Sequence, residues 1–204
     1  FAVADCTGHG VPGAMVSMVG YQVLNKAVRE KRLTSPAAIL QFLSDHVEEQ
    51  FEKSGGSVKD GMDIALVRFD REVKEVIYSG AHNPLWIASK REEIDSATMR
   101  ASEDGWNMFE WKADRRSIGG YFDAGPFTEQ RLQLQPNEVV FLFSDGYGDQ
   151  FGGEKDKKLG SARMREVLLK AVASNNLSSM NDFYLKWKAD GEQVDDVTVV
   201  ALKC

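Results

Sequence analysis

The chain has 204 residues, of which 43% are hydrophobic and 27% are charged, and its formal net charge is −6. This composition is that of an ordinary globular protein, long enough for one large domain or two small ones. The acidic balance argues against a nucleic-acid partner, which would require a basic surface. The only two cysteines, Cys6 and Cys204, form no Cys-x-x-Cys motif. Zinc-ribbon and thioredoxin-type motifs are therefore excluded, and we expect a reducing, cytoplasmic location.

Hydrophobic periodicity predicts two helices near the start of the chain. Apolar residues at helical spacing cover residues 12–31 and 36–51. Pro12 suits a first helical turn, and Ser35 before Pro36 suits an N-cap. In the first helix the residues at this spacing are Ala14, Met15, Met18, Val19, Leu24, Ala27 and Val28.

Most of the later elements are predicted to be strands. After a Gly- and Ser-rich loop at 54–61, strand patterns occupy 62–69, 73–79, 84–89, 109–111, 127–134, 138–144 and 197–202, with helices at 162–173 and 178–188. A short strand at 1–4 precedes them all. The charged stretch 90–105 is predicted to be an exposed excursion, and the aromatic residues beside it, Trp106, Phe109 and Trp111, to be core. We predict an α+β fold, a layered αββα sandwich of two mainly antiparallel sheets flanked by two pairs of helices.

Aspartates stand repeatedly at the ends of apolar strands. Asp5 follows the first strand, Asp145 follows the run at 139–144, and Asp195 and Asp196 precede the last strand. Strands of one sheet would bring such carboxylates to a common rim, where their repulsion calls for a cation. Ligand sets made only of oxygen select hard ions such as Mg²⁺ or Mn²⁺. The alternative reading is that aspartates simply end strands, because Asp favours turns.

Six motifs in a fixed order point to a known family. They are Asp5-Cys-Thr-Gly-His-Gly, Asp60-Gly-Met-Asp-Ile-Ala-Leu, Ser79-Gly-Ala-His-Asn-Pro, Ser117-Ile-Gly, Ser144-Asp-Gly-Tyr-Gly-Asp and Asp195-Asp-Val-Thr. The set resembles the PPM-type (type 2C) metal-dependent serine/threonine protein phosphatases, and within them the bacterial SpoIIE-like branch. The resemblance extends from Phe1 to Lys203.

The resemblance implies roles for five residues and a cofactor of two Mn²⁺ or Mg²⁺ ions. Asp5 would bridge the two metals, and Cys6 would offer its backbone carbonyl to one of them. Asp145 and Asp195 would hold the other metal, with Asp195 preferred to Asp196 because the family's ligand is the first residue of such a pair. Asp149 falls where some members bind a weaker third metal.

The three histidines receive lesser roles. In the eukaryotic branch a histidine lies two residues after the bridging aspartate, whereas His9 lies four residues after Asp5. We therefore interpret His9 as packing at the start of a helix rather than as a general acid. His82 is expected to lie in a turn, where it is either structural or a support to the metal ligands, and His46 is expected to be exposed on a helix.

The resemblance also implies the function and the partners. It predicts a phosphoserine/phosphothreonine protein phosphatase of bacterial signalling, with a water activated by two metals and a phosphorylated STAS-type anti-sigma-factor antagonist as substrate. We expect a single domain over residues 1–204, a fragment that lacks its first strand and follows a sensor domain, which a membrane could tether. An open sheet edge would favour a homodimer. Two alternatives stay open, a non-catalytic binding module and a small-molecule phosphohydrolase.

Overall fold

The structure is a computed structural model that describes residues 1–6, 8, 10–53, 61–119 and 125–204. His9 and residues 54–60 of the predicted loop lie outside the described residues. The described residues form two compact units. The first comprises Phe1–Pro84 and Lys112–Leu134, and the second comprises Leu85–Trp111 and Gln135–Cys204.

Helices and strands alternate in blocks along the chain. The helices are α1 (Gly10–Asn25), which continues into a π-helical turn (Lys26–Glu30), α2 (Pro36–Lys53), α3 (Gly146–Asp149), α4 (Gly160–Ala173) and α5 (Ser179–Lys188). The strands are β1 (Ala2–Cys6), β2 (Met62–Asp70), β3 (Glu75–Ala81), β4 (Leu85–Ser89), β5 (Thr98–Glu103), β6 (Trp106–Trp111), β7 (Gln130–Gln133), β8 (Val139–Phe143), β9 (Phe151–Gly152), β10 (Lys157–Lys158) and β11 (Val199–Lys203).

The first unit is an antiparallel sheet with a helix pair packed on it. Its strand order is β1-β2-β3-β7, and α2 packs against both α1 and the central strands. The predicted helices over 12–31 and 36–51 are confirmed. Ser35 caps α2 as predicted, since its Oγ accepts the amide hydrogen of Ala38 at 3.1 Å. The carboxylate of Glu129 in turn accepts hydrogen bonds from the Ser35 hydroxyl and the Ala37 amide.

Only part of the apolar set of α1 lies on the buried side of the helix. Val16, Val23 and Ala27 are buried in the core, while Met15 and Met18 are exposed. The helix is apolar on both sides, so periodicity alone does not identify which side meets the sheet. The exposed side carries the apolar residues Val11, Met15, Met18 and Tyr21, which we call the α1 stripe.

The second unit is a five-stranded sheet with α4 and α5. Its strand order is β11-β8-β4-β6-β5, and every pairing in it is antiparallel. The stretch 90–105 is largely exposed, as predicted, but it is not a simple excursion, because residues 98–103 form β5 and pair with β6. The exposure of this edge strand explains its polar sequence. Trp106, Phe109 and Trp111 of β6 are buried, as predicted.

The α+β class with two mainly antiparallel sheets is thus confirmed. Each unit has its own core, which centres on Leu40, Leu43 and Ile64 in the first and on Trp86, Phe141 and Leu168 in the second. In the part of the chain that the structure describes, no helix combines the length and the apolar character needed to cross a membrane.

Candidate metal site

Two neighbouring strands of the second unit place Asp145 and Asp195 at one end of the sheet. The pair Phe143–Val199 closes the ladder between β8 and β11, and the chain then continues on both sides into the aspartates. Ser144 holds the two segments together beyond the ladder. Its Oγ donates to the carbonyl oxygen of Asp196 at 2.9 Å and accepts the amide hydrogen of Thr198 at 3.0 Å.

Gly146 brings the two aspartate segments into direct contact. A Cβ at this position would lie 2.4 Å from the carbonyl oxygen of Asp196 and 3.3 Å from the Cβ of Asp195. Only glycine fits against a backbone at this separation. The motif Ser-Asp-Gly therefore supplies a connecting hydroxyl, an exposed carboxylate and a residue without a side chain, in that order.

The side chains at this end of the sheet are acidic and accessible. Asp145 and Asp195 are exposed, and Oδ1 of Asp195 accepts the amide hydrogen of Asp196 at 2.7 Å. Asp149, one turn after Asp145 in α3, accepts a hydrogen bond from Nζ of Lys158 at 2.7 Å. This bond raises the pKa of Lys158, and the charges of Asp149, Asp145 and Asp195 raise it further. The Lys158 ammonium group therefore interacts electrostatically with all three carboxylates.

Gln150 anchors the turn that carries these residues. Its side chain is fully buried, and its amide donates to the carbonyl oxygens of Phe151 and Glu192 at 3.0 and 2.9 Å. Its Oε1 accepts the hydroxyl hydrogen of Tyr184 at 2.8 Å. The bond to Glu192 ties the end of α3 to the segment that leads into Asp195, so Gln150 fixes both sides of the site.

The first unit contains Asp5 and Cys6 at the end of β1. Asp5 stands directly opposite Asp63 in the β1–β2 ladder, which places two carboxylates on neighbouring strands. Oγ of Ser117 donates to Oδ1 of Asp63 at 2.6 Å. The backbones of Met62 and Ile118 exchange two hydrogen bonds of 3.0 and 2.9 Å. Three of the six sequence motifs therefore meet at this end of the first unit.

The Cys6 thiol is poorly suited to act as a ligand itself. It is half-buried, and Oγ of Ser17 donates to its sulfur at 3.2 Å. Burial raises the pKa of Cys6, and the charge of Asp5 adds to the increase. Metal ligation by sulfur needs the thiolate, which this environment disfavours.

Two histidines are described by the structure. His82 is exposed in a turn with a left-handed backbone (φ 56°), and its amide donates to the carbonyl oxygen of Asp114 at 3.0 Å. His46 is half-buried rather than exposed as expected. One of its ring nitrogens contacts the carbonyl oxygen of Phe42 at 2.9 Å, and its ring lies 3.8 Å from the Phe42 ring at a tilt of 31°. Neither residue belongs to the carboxylate group of the second unit.

The carboxylates of the second unit fit a hard divalent cation. Mg²⁺ is commonly held by one or two carboxylates and completes its shell with water. Exposed Asp145 and Asp195 on adjoining segments offer such a donor set, and the approach of Lys158 shows that this end attracts positive charge. Among the described residues, no three His, Cys, Asp or Glu side chains gather tightly enough to hold a metal by themselves. The ligand roles of Asp5, Cys6, Asp145, Asp149 and Asp195 thus stay predictions.

Three residues of these sites were not singled out from the sequence. Lys158 lies in a lysine-rich turn that resembles an ordinary solvated loop, and a buried Gln150 cannot be distinguished from an exposed one by its pattern. Asp63 did carry a signal, because it interrupts the apolar run of β2 at a residue opposite Asp5. Its place within the second motif is the feature that could have identified it.

Comparisons with known structures define the class of the fold. The SiaA-PP2C domain of Pseudomonas aeruginosa superposes with a TM-score of 0.79 and 27% identity, over 100% of this chain and 74% of that one. The PP2C phosphatase domain of SpoIIE from Bacillus subtilis, solved with a fragment of its regulatory domain, gives a TM-score of 0.66 and 14% identity, over 100% of this chain and 53% of that one. RsbX in complex with magnesium superposes with a TM-score of 0.59 and 13% identity, over 98% of this chain and 78% of that one.

The chain therefore has the PP2C-type phosphatase fold. The family model of stage II sporulation protein E (SpoIIE) matches residues 1–204, and the chain belongs to this family. A comparison with curated proteins gave no significant match. The chain spans about half the length of the B. subtilis SpoIIE structure that it matches.

Proposed function

We propose that this chain is a metal-dependent phosphatase that hydrolyses phosphoserine and phosphothreonine esters of a protein in bacterial signalling. The observation that carries the proposal is the pair of exposed carboxylates, Asp145 and Asp195, held at one end of a sheet by Ser144 and Gly146. A module that only binds a partner has no need of such a charged pair. Membership of the SpoIIE family adds support.

The residues of the second unit would divide the work among them. Asp145 and Asp195 would hold a divalent cation, Mn²⁺ or Mg²⁺. Such a cation would neutralise charge on a phosphoryl group and lower the pKa of water, so that hydroxide would be available as the nucleophile. Ser144 and Gly146 keep the two carboxylates in place, because they join the two backbone segments. Lys158 supplies a positive charge beside the carboxylates, where phosphoryl oxygens would arrive.

The remaining ligand assignments rest on the resemblance alone. Asp5 and the carbonyl group of Cys6 would complete a set for two cations, and Asp149 would serve a weaker third. In the structure the Asp149 carboxylate is paired with Lys158, so a cation there would have to displace an ammonium group.

A metal-dependence assay tests the proposal. We expect hydrolysis of p-nitrophenyl phosphate and of a phosphoserine protein with added Mn²⁺ or Mg²⁺, and loss of both activities with a chelator. The Asp195→Asn variant serves as the matched inactive protein. Full activity after exhaustive chelation, with no metal found by elemental analysis, would contradict the proposal. A strong preference for small esters over the phosphoprotein would favour a small-molecule phosphohydrolase instead.

The proposed setting is the cytoplasm, with a sensor domain upstream and a phosphorylated STAS-type antagonist as substrate. Both cysteines are free thiols, as a reducing compartment requires. We propose that the α1 stripe receives a second copy of the chain in a homodimer, because an exposed apolar row on a helix is a typical contact surface. Light scattering of Met15→Lys/Met18→Lys against the unchanged protein tests self-association, which the double substitution should abolish.

A further inference from the structure

A groove of about 740 Å³ opens in the second unit beside the carboxylates. Its wall is formed by the β9–β10 turn, the first part of α4 and one aromatic residue of α5. The lining includes Lys155, Lys157, Lys158, Arg163, Glu166 and Trp187. The volume lies within the range of about 300–1,000 Å³ that ligand sites occupy, which is more than a single phosphorylated side chain fills.

The groove and the candidate metal site share one residue, Lys158. Lys158 belongs to the wall of the groove and also donates to Asp149 at 2.7 Å. Asp149 lies four residues after Asp145, so a phosphate held at a metal on Asp145 and Asp195 would bring the residues that flank it toward this groove.

The charge of the groove is opposite to that of the chain. Lys155, Lys157, Lys158 and Arg163 are exposed cations, and Glu154 and Glu166 are the acidic residues of the wall. The wall is thus net positive on a chain whose formal net charge is −6. A cationic patch on an acidic protein concentrates anionic partners locally.

The wall is held firmly rather than formed by a loose loop. Trp187 makes two hydrogen bonds to the residues that flank β9. Its carbonyl oxygen accepts the amide hydrogen of Gly153 at 3.0 Å, and its indole Nε1 donates to the carbonyl oxygen of Gln150 at 3.1 Å. The Arg163 guanidinium lies 4.7 Å from the Trp187 ring centroid. A Cβ at Gly152 would lie 2.0 Å from the Trp187 carbonyl oxygen, so the hairpin packs on α5 with no space between them.

We propose that this groove binds an acidic segment of the protein substrate, the Asp- and Glu-rich residues that flank the phosphorylated serine or threonine. The inference rests on the proposed function and adds the substrate class to it. Carboxylates of the segment pair with Lys155 and Lys157. A further carboxylate pairs with Arg163, whose guanidinium lies over the Trp187 ring. An extended segment advances about 3.3–3.6 Å per residue, so several flanking residues contribute while the phosphate lies at the metal site that Asp145 and Asp195 would form.

Synthetic phosphoserine peptides test the inference. One peptide carries Asp and Glu before the phosphoserine, one carries them after it, and one has neutral flanks. With Mn²⁺ present, we expect kcat/KM for one acidic peptide to exceed that for the neutral peptide by about tenfold or more, and the difference to shrink as salt rises. In Lys155→Glu/Lys157→Glu this ratio should fall to about one or below. Lys186→Glu, an exposed lysine of α5 outside the groove, is the matched control and should keep the ratio.

A second measurement separates this inference from the proposed function. Calorimetry with the unphosphorylated acidic peptide reports binding without chemistry, and the double variant should lose it. Hydrolysis of all three peptides at equal kcat/KM, with no binding of the acidic peptide, would contradict the proposed role of the groove and still support phosphatase activity. Absence of all hydrolysis, with charge-dependent binding intact, would support the groove and contradict the phosphatase. Tighter binding of a single-stranded oligonucleotide of equal charge would also overturn the assignment to an acidic protein segment.

Discussion

Gly146 lies so close to Asp196 that a Cβ on the glycine would stand 2.4 Å from the aspartate's carbonyl oxygen. The neighbour is backbone, which cannot move aside as a flexible side chain can. Since Ser144 also bonds to that carbonyl oxygen, one peptide group of the Asp195–Asp196 segment is held from two sides. The spacing of Asp145 and Asp195 therefore depends on a residue that has no side chain.

Gly146→Ala should separate the two aspartate segments. We expect a loss of about 1–3 kcal/mol of unfolding free energy, the usual cost of overpacking, together with weaker Mn²⁺ binding and slower turnover. Gly148→Ala is the control in the same short helix, because a Cβ there would meet nothing nearer than 3.9 Å. Thermal melting and metal titration of both variants check this. Native-like behaviour of Gly146→Ala would mean that the contact does not set the site.

Asp145→Asn and Asp195→Asn should each lower kcat by at least about a hundredfold, since loss of one charge-stabilising group costs about that much in other enzymes. Both side chains are exposed, so the melting temperature should change little, and relief of repulsion could raise it. Asp196→Asn should be milder, because the structural contacts of Asp196 come from its backbone. Kinetics with circular-dichroism melting measure this. A reversed order of Asp195 and Asp196 would move the ligand role to Asp196.

Gln150→Leu should destabilise the second unit. The substitution keeps the volume but leaves the Tyr184 hydroxyl without this partner in a buried place, and it removes the hydrogen bond to the Glu192 carbonyl oxygen. An unsatisfied buried group costs about 1–3 kcal/mol, so we expect a loss of about that size by urea denaturation. Gln133→Leu, on exposed β7, is the comparison and should stay within about 0.5 kcal/mol of the unchanged protein. Equal effects of the two would show that the Gln150 network adds no stability.

The sequence predicted the elements that follow a simple pattern. Apolar runs ending in Asp145 and beginning after Asp196 became β8 and β11, and Ser35 before Pro36 became a helix cap. Strand β5 was not predicted, because an exposed edge strand such as Thr98–Glu103 lacks the apolar alternation on which strand prediction depends.

Tertiary relationships were beyond the reach of the pattern. The family motif contains Gly146 but does not show why glycine is needed there. The reason is the close approach of the Asp196 carbonyl oxygen, fifty residues later in the sequence. Gln150 and Lys158 belong to the site through partners that only the folded chain supplies, namely Glu192 and Asp149. The choice of Val16 and Val23 over Met15 and Met18 as the buried residues likewise depended on where the sheet lies.

Cys6→Ala should retain metal-dependent activity within about threefold of the unchanged protein. The predicted contribution of Cys6 is its backbone carbonyl, and the raised pKa of its thiol disfavours the thiolate. The change removes a weak hydrogen bond from Ser17, so a stability loss of about 1 kcal/mol is expected. Asp5→Asn is the contrasting variant and should be inactive. Loss of activity in a folded Cys6→Ala protein would give the thiol a direct role.

Lys158→Gln should change two properties of the site in opposite directions. The ammonium group lies beside Asp149 and within the field of Asp145 and Asp195, where it competes with a divalent cation for the same negative charge. Its removal should tighten Mn²⁺ binding severalfold in calorimetry. The same charge is placed to attract the phosphoryl group, so KM for a phosphopeptide should rise while metal affinity improves. Lys186→Gln, which removes an equal charge from the outer surface of α5, should change neither value. If Lys158 only screens the carboxylates, Lys158→Gln should leave KM unaltered at saturating Mn²⁺. If Lys158 only holds the turn through Asp149, the substitution should weaken metal binding instead of tightening it.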